Sequence, residues 1–254
     1  MSTSTSAAGE RFEVETGEGA MTTWVYRPLA GEGPWPAVIF YMDGPGLRDA
    51  LHAMAQRLAW GGYVVLLPNL YYRAGDQAPF DPATVFSDPS ERERLMALAL
   101  SVTSDAAMRD TAALLRFLDG LPGVEGKAVG CVGYCLGGLV ALWAAVAHPD
   151  RVAAAASIHG GRLATDAPDS PHAHADQIRG RVYVGVAGLD PNFTAEHTER
   201  LRSALDAAGV RATVEIYPDA RHGFAVPDLP VYDRESAERH WRRVLELFAE
   251  ALPG

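Results

Sequence analysis

Apolar residues along the chain fall into short runs of β-branched and aromatic type, separated by longer stretches in which apolar positions recur at helical spacing. That alternation predicts crossover units around a mainly parallel sheet, an α/β architecture of about eight strands. Residues 36–41, 63–67 and 128–132 are near-continuous apolar runs, as expected of central strands covered by helices on both faces. Runs at 12–15 and 22–27, separated by Gly-Glu-Gly, predict an antiparallel hairpin. Further strands are expected at 152–158, 182–187 and 212–217, the last two each followed by an amphipathic helix. The final helix, 233–251, sets Trp241, Val244, Leu245 and Phe248 on one stripe. No repeat or Gly/Pro/Ser linker divides the chain, so a disordered tail over 1–10 and one domain over 11–254 are expected. Two long connections, 73–90 and 159–180, leave the carboxyl ends of predicted strands, where open α/β sheets bind ligands.

One turn brings in chemistry. Gly133-Tyr134-Cys135-Leu136-Gly137-Gly138 lies between the strand at 128–132 and the helical run at 139–147. It has the form glycine, any residue, nucleophile, any residue, glycine, with cysteine where a serine hydrolase carries serine. Glycines suit a sharp strand-to-helix turn, which leaves no room for side chains at the flanking positions. A thiol held at a helix start gains from the helix dipole and from free N–H groups. Leu136 N–H is one expected oxyanion donor, and a second is expected near Gly44, after the strand at 36–41.

In this arrangement the acid follows the nucleophile after a later strand and the histidine comes last. Asp190 sits at the end of the strand at 182–187 and His222 in the loop after the strand at 212–217, which completes that order. His222 would take the thiol proton and return it to the leaving alkoxide, with Asp190 fixing its tautomer. Asp219, three residues before His222, competes for the acid role. Cys131, inside a strand, reads as an ordinary buried thiol. His159 ends the strand at 152–158, either towards the substrate or as a loop histidine satisfied by backbone. His52, His148, His197 and His240 fit helix surfaces or ends. His172 and His174 find no third ligand at metal spacing, so neither metal nor cofactor is expected.

Taken together, these residues resemble the dienelactone hydrolases (carboxymethylenebutenolidases), cysteine-dependent members of the α/β-hydrolase fold. The marks are the Gly-Tyr-Cys-Leu-Gly-Gly turn, Asp190, His222-Gly-Phe, and Gly62-Tyr63 leading into Pro68-Asn69-Leu70-Tyr71-Tyr72-Arg73. The resemblance spans about 12–248 and implies a three-layer sandwich that cleaves a lactone or ester through a thioester. It also implies that Asp43, where the family often has glutamate, holds the resting thiol; as an alternative, Asp43 is a turn residue before Gly44-Pro45-Gly46. Dienelactone-cleaving members carry an arginine shortly after the histidine segment, whereas this chain reads His222-Gly-Phe-Ala-Val226. Arg92 or Arg94 would match a second family arginine on the helix before the turn, and both fit equally well as solvated charges in Ser90-Glu-Arg-Glu-Arg94. Tyr71, Tyr72, His159, Phe224 and Trp143 are further candidates for pocket walls, although aromatic residues in such places are more often core. A lyase, isomerase or cyclase on the same triad is the rival activity, and a non-catalytic binding module is a third reading.

Composition narrows the partners. With 32 acidic against 22 basic residues the formal charge is −10, which opposes nucleic acid and anionic membranes. No apolar run approaches the roughly 18 residues of a membrane span, and 1–10 lacks the pattern of a signal peptide. A cytoplasmic monomer or homodimer acting on a small-molecule lactone or ester is expected.

Overall fold

The computed structural model describes residues 9–252; most of the expected tail, 1–8, lies outside the described residues. Eight strands form one sheet: β1 (Glu10–Glu15), β2 (Ala20–Tyr26), β3 (Trp35–Tyr41), β4 (Val64–Pro68), β5 (Val124–Tyr134), β6 (Val152–Ile158), β7 (Arg181–Ala187) and β8 (Ala212–Tyr217). Their spatial order is β1-β2-β4-β3-β5-β6-β7-β8. β1 and β2 make the expected hairpin, β2 is antiparallel to β4, and every later pairing is parallel.

Among the described residues six α-helices cover the sheet: α1 (Asp49–Trp60), α2 (Pro89–Ser101), α3 (Ser104–Asp119), α4 (Leu136–Ala147), α5 (Ala195–Ala207) and α6 (Arg234–Ala251). α4 packs on β3, β5 and β6 with α3 beside it, while α1 and α6 cover the other face. Arg57 of α1 ties those two helices, paired with Glu238 and stacked on Trp241. Because both faces are covered, Val38, Ile39, Phe40, Val64, Leu66 and Val132 are fully buried. Each such side chain contributes about 1.5–3 kcal/mol of transfer free energy. Most helix starts carry sequence-legible caps: Asp88 accepts from Ser90 and Glu91 N–H, Thr103 from Ala106 N–H and Asp233 from Ser236 N–H. α1 and α4 are the exceptions, since Arg48 and Cys135 stand at their N-caps and make no side-chain cap.

β5 begins at Val124, earlier than its apolar run, because Val124 still pairs with Trp35 across the polar Glu125-Gly126-Lys127. Of the two long connections, 73–90 ends where α2 starts at Pro89, and 159–180 contains a short 3-10 helix, Pro171–Gln177. The chain runs from β3 outward to β4 and then crosses to β5 on the other side of β3, so the order switches there. Such a switch opens a crevice at the strands' carboxyl ends. Gly44 follows β3 and Cys135 follows β5, so both stand at that crevice.

Candidate active site

Cys135 occupies the turn between β5 and α4 with φ 53° and ψ −113°, a strained backbone for any residue but glycine. The turn is held by its own N–H, which donates to the Ile158 carbonyl (3.0 Å), and by Gly138 N–H on the Cys135 carbonyl (3.0 Å). The glycines of the motif are close-approach positions. A Cβ at Gly133 would collide with the Gly137 carbonyl, and one at Gly137 with the Tyr41 and Met42 carbonyls at the end of β3. Glycine therefore lets the first turn of α4 sit directly on β3. Leu136 opens α4, so its N–H has no intrahelical acceptor. Gly44 N–H is free of turn and loop hydrogen bonds among the described residues.

Three side chains converge on this turn. His222 Nε2 lies 2.9 Å from Cys135 Sγ, and His222 Nδ1 lies 2.5 Å from Asp190 Oδ2. Asp190 is fixed in turn by Asn192 N–H on Oδ1 (2.9 Å). A quarter of the His222 side chain is exposed and almost none of Asp190, so the imidazole faces the crevice and the carboxylate backs it. Burial disfavours a charged His222, but the adjoining Cys135 sulfur and the Asp190 carboxylate outweigh that and hold it well above the usual histidine range. Burial would raise Asp190, yet its hydrogen bonds from His222 and Asn192 keep it below the ordinary carboxylate range. Asp219, the competing acid, is exposed, and the contact to His222 is made by Asp190.

A family model described as the dienelactone hydrolase family matches residues 21–252. The chain belongs to that family. Membership makes it a carboxylic ester hydrolase by family. A Salmonella typhi relative, provisionally named a carboxymethylenebutenolidase, is 30% identical over 91% of this chain and 83% of its own. A carboxymethylenebutenolidase of Pseudomonas putida is 26% identical over 86% of this chain and 87% of its own. The crystal structure of a provisionally named Klebsiella pneumoniae dienelactone hydrolase has the same fold, with a TM-score of 0.82 at 24% identity over 95% of this chain and 98% of that one.

Other expected site residues are placed less uniformly in this dienelactone hydrolase family member. Asp43 is buried beside the site, but both its oxygens are taken by Arg48 (2.6 and 2.9 Å). Among the described residues it makes no hydrogen bond to the thiol, so the expected thiol-holding contact is replaced by an ion pair. The shorter aspartate finds a cation five residues on. Burial pushes the Asp43 carboxyl up, and the Arg48 hydrogen bonds only partly offset it.

Tyr71 is buried at the crevice and donates its hydroxyl to the Gly44 carbonyl (2.7 Å), bracing that turn. Tyr72 points elsewhere: its hydroxyl bonds Thr16 (2.7 Å) and Asp110 (2.8 Å), and Arg73 stacks on its ring, so it braces the hairpin against α3. Neighbours on a short 3-10 turn (Tyr72–Ala74) diverge in this way. Phe224 is fully buried, its ring against those of Tyr217 and His159.

His159 is also buried, its ring centroid 5.2 Å from that of His222, with neither ring nitrogen hydrogen-bonded, contrary to a backbone-satisfied loop histidine. Arg92 is exposed on α2, and Arg94 is committed to Glu91, the Ala78 carbonyl and the Phe80 ring. α2 nevertheless reaches the site through Leu95, which packs against Gly44. Val226, which closes the His222-Gly-Phe-Ala-Val226 segment in which no arginine occurs, is fully buried. Trp143 is core, its indole N–H on the Asp169 carbonyl (2.8 Å).

His240 corrects the expectation of a helix-surface histidine. It is fully buried against Tyr134, 3.0 Å from that hydroxyl, and burial lowers its pKa to about 3. His172 bonds Ser170 and His174 the Pro168 carbonyl, within the loop. Two residues escaped sequence reasoning: Arg48 and Asp228, which form a second ion pair (2.7 Å) next to Asp43. The available signal was an arginine at a helix N-cap, where Ser, Thr, Asp and Asn are favoured.

Proposed function

We propose that the protein hydrolyses a lactone or carboxylic ester with Cys135 as nucleophile, His222 as acid and base, and Asp190 as the residue that orients His222. The observation that carries this is the continuous chain Sγ···Nε2 (2.9 Å) and Nδ1···Oδ2 (2.5 Å) at a strained turn beside two N–H groups suited to an oxyanion. The cycle follows from that geometry. The Cys135 sulfur, its proton held on His222, attacks the carbonyl carbon, and the oxyanion is received by the N–H groups of Leu136 and Gly44. Collapse breaks the C–O bond; His222 gives its proton to the departing alkoxide, and a thioester is left on Cys135. Water then attacks the thioester carbonyl, passing a proton to His222, and the C–S bond breaks to release the carboxylic acid. In a lactone the leaving alkoxide stays tethered to the acyl group and departs with it as a hydroxy acid.

The test is steady-state turnover of a panel of lactones and aryl esters by wild type, Cys135→Ser and Cys135→Ala. The reading predicts hydrolysis by wild type and a loss of at least about a thousandfold in kcat/KM for both variants, the scale set by removing a nucleophile from a working triad. Full esterase activity in Cys135→Ala would sink it. Turnover of a cyclic substrate with no uptake of water, and none of simple esters, would instead support a lyase, isomerase or cyclase.

A further inference from the structure

We propose that Arg48 is a positioning residue for ester cleavage, strapping the turn that carries Gly44 to the loop that carries His222. The inference rests on the hydrolase reading above and adds a residue to it. Arg48 Nη1 donates to Asp43 Oδ1 (2.6 Å) and to the Gly46 carbonyl (3.0 Å), and Nη2 donates to Asp43 Oδ2 (2.9 Å). On its other edge Nε donates to Asp228 Oδ2 (2.7 Å) and Nη2 to Asp228 Oδ1 (2.9 Å). A guanidinium has five N–H donors in a planar fork, and all of them are used here. Two carboxylates are gripped bidentately, one adjoining Gly44 and one six residues past His222.

The local sequence choice is otherwise a poor one. Arg48 stands at the N-cap of α1, where it caps nothing and sets a positive charge at the positive end of the helix dipole. Local rules broken without local benefit mark positions that serve a site. The Asp43 end of the strap is shielded from water, with the Arg48 side chain 13% and that of Asp43 2% exposed, so its bonds hold geometry better than a surface pair would, while the Asp228 end is partly exposed. Gly44 is held from three directions: by Arg48 through Asp43 and Gly46, by the Tyr71 hydroxyl on its carbonyl, and by Leu95 against its Cα. Only the first of these connects it to the His222 loop. A donor that acts on the oxyanion, which exists only in the transition state, should affect kcat more than KM.

The experiment compares wild type, Arg48→Lys, Asp228→Asn and the double variant in two assays on the full chain: hydrolysis of an aryl ester, and alkylation of Cys135 by iodoacetamide. Alkylation needs the thiol and His222 but forms no oxyanion. The strap predicts kcat down by about tenfold or more in Arg48→Lys, whose compact ammonium cannot grip two carboxylates bidentately, and by about fivefold in Asp228→Asn. KM and the alkylation rate should each stay within about twofold, and the double variant should lose no more than Arg48→Lys alone, because both break one link. Asp228 is partly exposed, so Asp228→Asn is expected to fold whatever happens to the other variants. Unchanged kcat in Asp228→Asn, or alkylation falling in step with hydrolysis, overturns the proposal while leaving the hydrolase reading intact. A wild-type protein that turns over no ester or lactone removes that reading, and the strap's catalytic role with it.

Discussion

Replacing Gly137 by alanine tests whether the close seating of α4 on β3 assembles the oxyanion site. The added Cβ would stand 2.6 Å from the Met42 carbonyl oxygen and nearer still to that of Tyr41. Both obstacles are backbone of a fully buried strand end, so neither moves aside as a side chain would. A relaxed carbon–oxygen contact needs about 3.4 Å, so the first turn of α4 must lift by about 1 Å. That displacement carries Leu136 N–H away from Gly44, and misplacement on this scale costs about a hundredfold in rate. Overpacking of this kind also destabilises by about 1–3 kcal/mol. Spread over a domain of this size, that lowers the thermal midpoint by about 2–12 °C, and the folded protein can be assayed well below the transition. The assay is kcat for an aryl ester at 20 °C beside a thermal melt of the same preparation. A folded Gly137→Ala protein with wild-type kcat would refute the reasoning.

Asp190→Asn should lower kcat/KM by about a thousandfold, because the amide favours the wrong imidazole tautomer, whereas Asp219→Asn should stay within about twofold. Equal losses in the two would return Asp219 to contention. In the native protein iodoacetamide should modify one thiol: Cys135 is partly exposed, whereas Cys131 is buried and its pKa is pushed up to about 12. Peptide mapping that finds Cys131 labelled before unfolding contradicts this. His159 and His240 are buried neutral, with folded pKa values below the unfolded value of about 6.5. Their stabilising contribution is therefore complete above that pH and is lost as pH falls, because the unfolded chain takes up the protons first, by up to about 1.4 kcal/mol per pH unit for each. Urea midpoints between pH 7 and 4.5 check it: His240→Gln should flatten the slope, and an unchanged slope would count against the neutral buried state. Tyr72→Phe should leave kcat unchanged and lower stability by about 1–2 kcal/mol, since its hydroxyl serves Thr16 and Asp110.

Features set by local pattern were legible in the chain, and those set by side-chain direction were not. The runs at 152–158 and 212–217 coincide with β6 and β8 because alternation of apolar strand and polar loop is a local signal. The order Cys135, Asp190, His222 could be read because each residue sits at the end of a strand, and parallel strands bring those ends to one edge. By contrast, Tyr71 and Tyr72 are adjacent and chemically alike, yet only the first reaches Gly44. His240 lies on the same strongly amphipathic helix as Trp241, and whether position 240 falls inside the stripe depends on how α6 is rotated against Tyr134. The partner of Asp43 was hidden for a related reason. Arg48 is near in sequence, but its pairing needs the Asp228 loop to come across from the far end of the chain, a contact with no periodicity to announce it.

The most direct measurement is rapid acid quench of wild type mixed with excess aryl ester, followed by intact mass and peptide mapping. The account predicts one acyl group on the peptide containing Cys135, lost as turnover completes and absent in Cys135→Ala. Hydrolysis that proceeds in Cys135→Ala, or an acyl group found on any other residue, would contradict it.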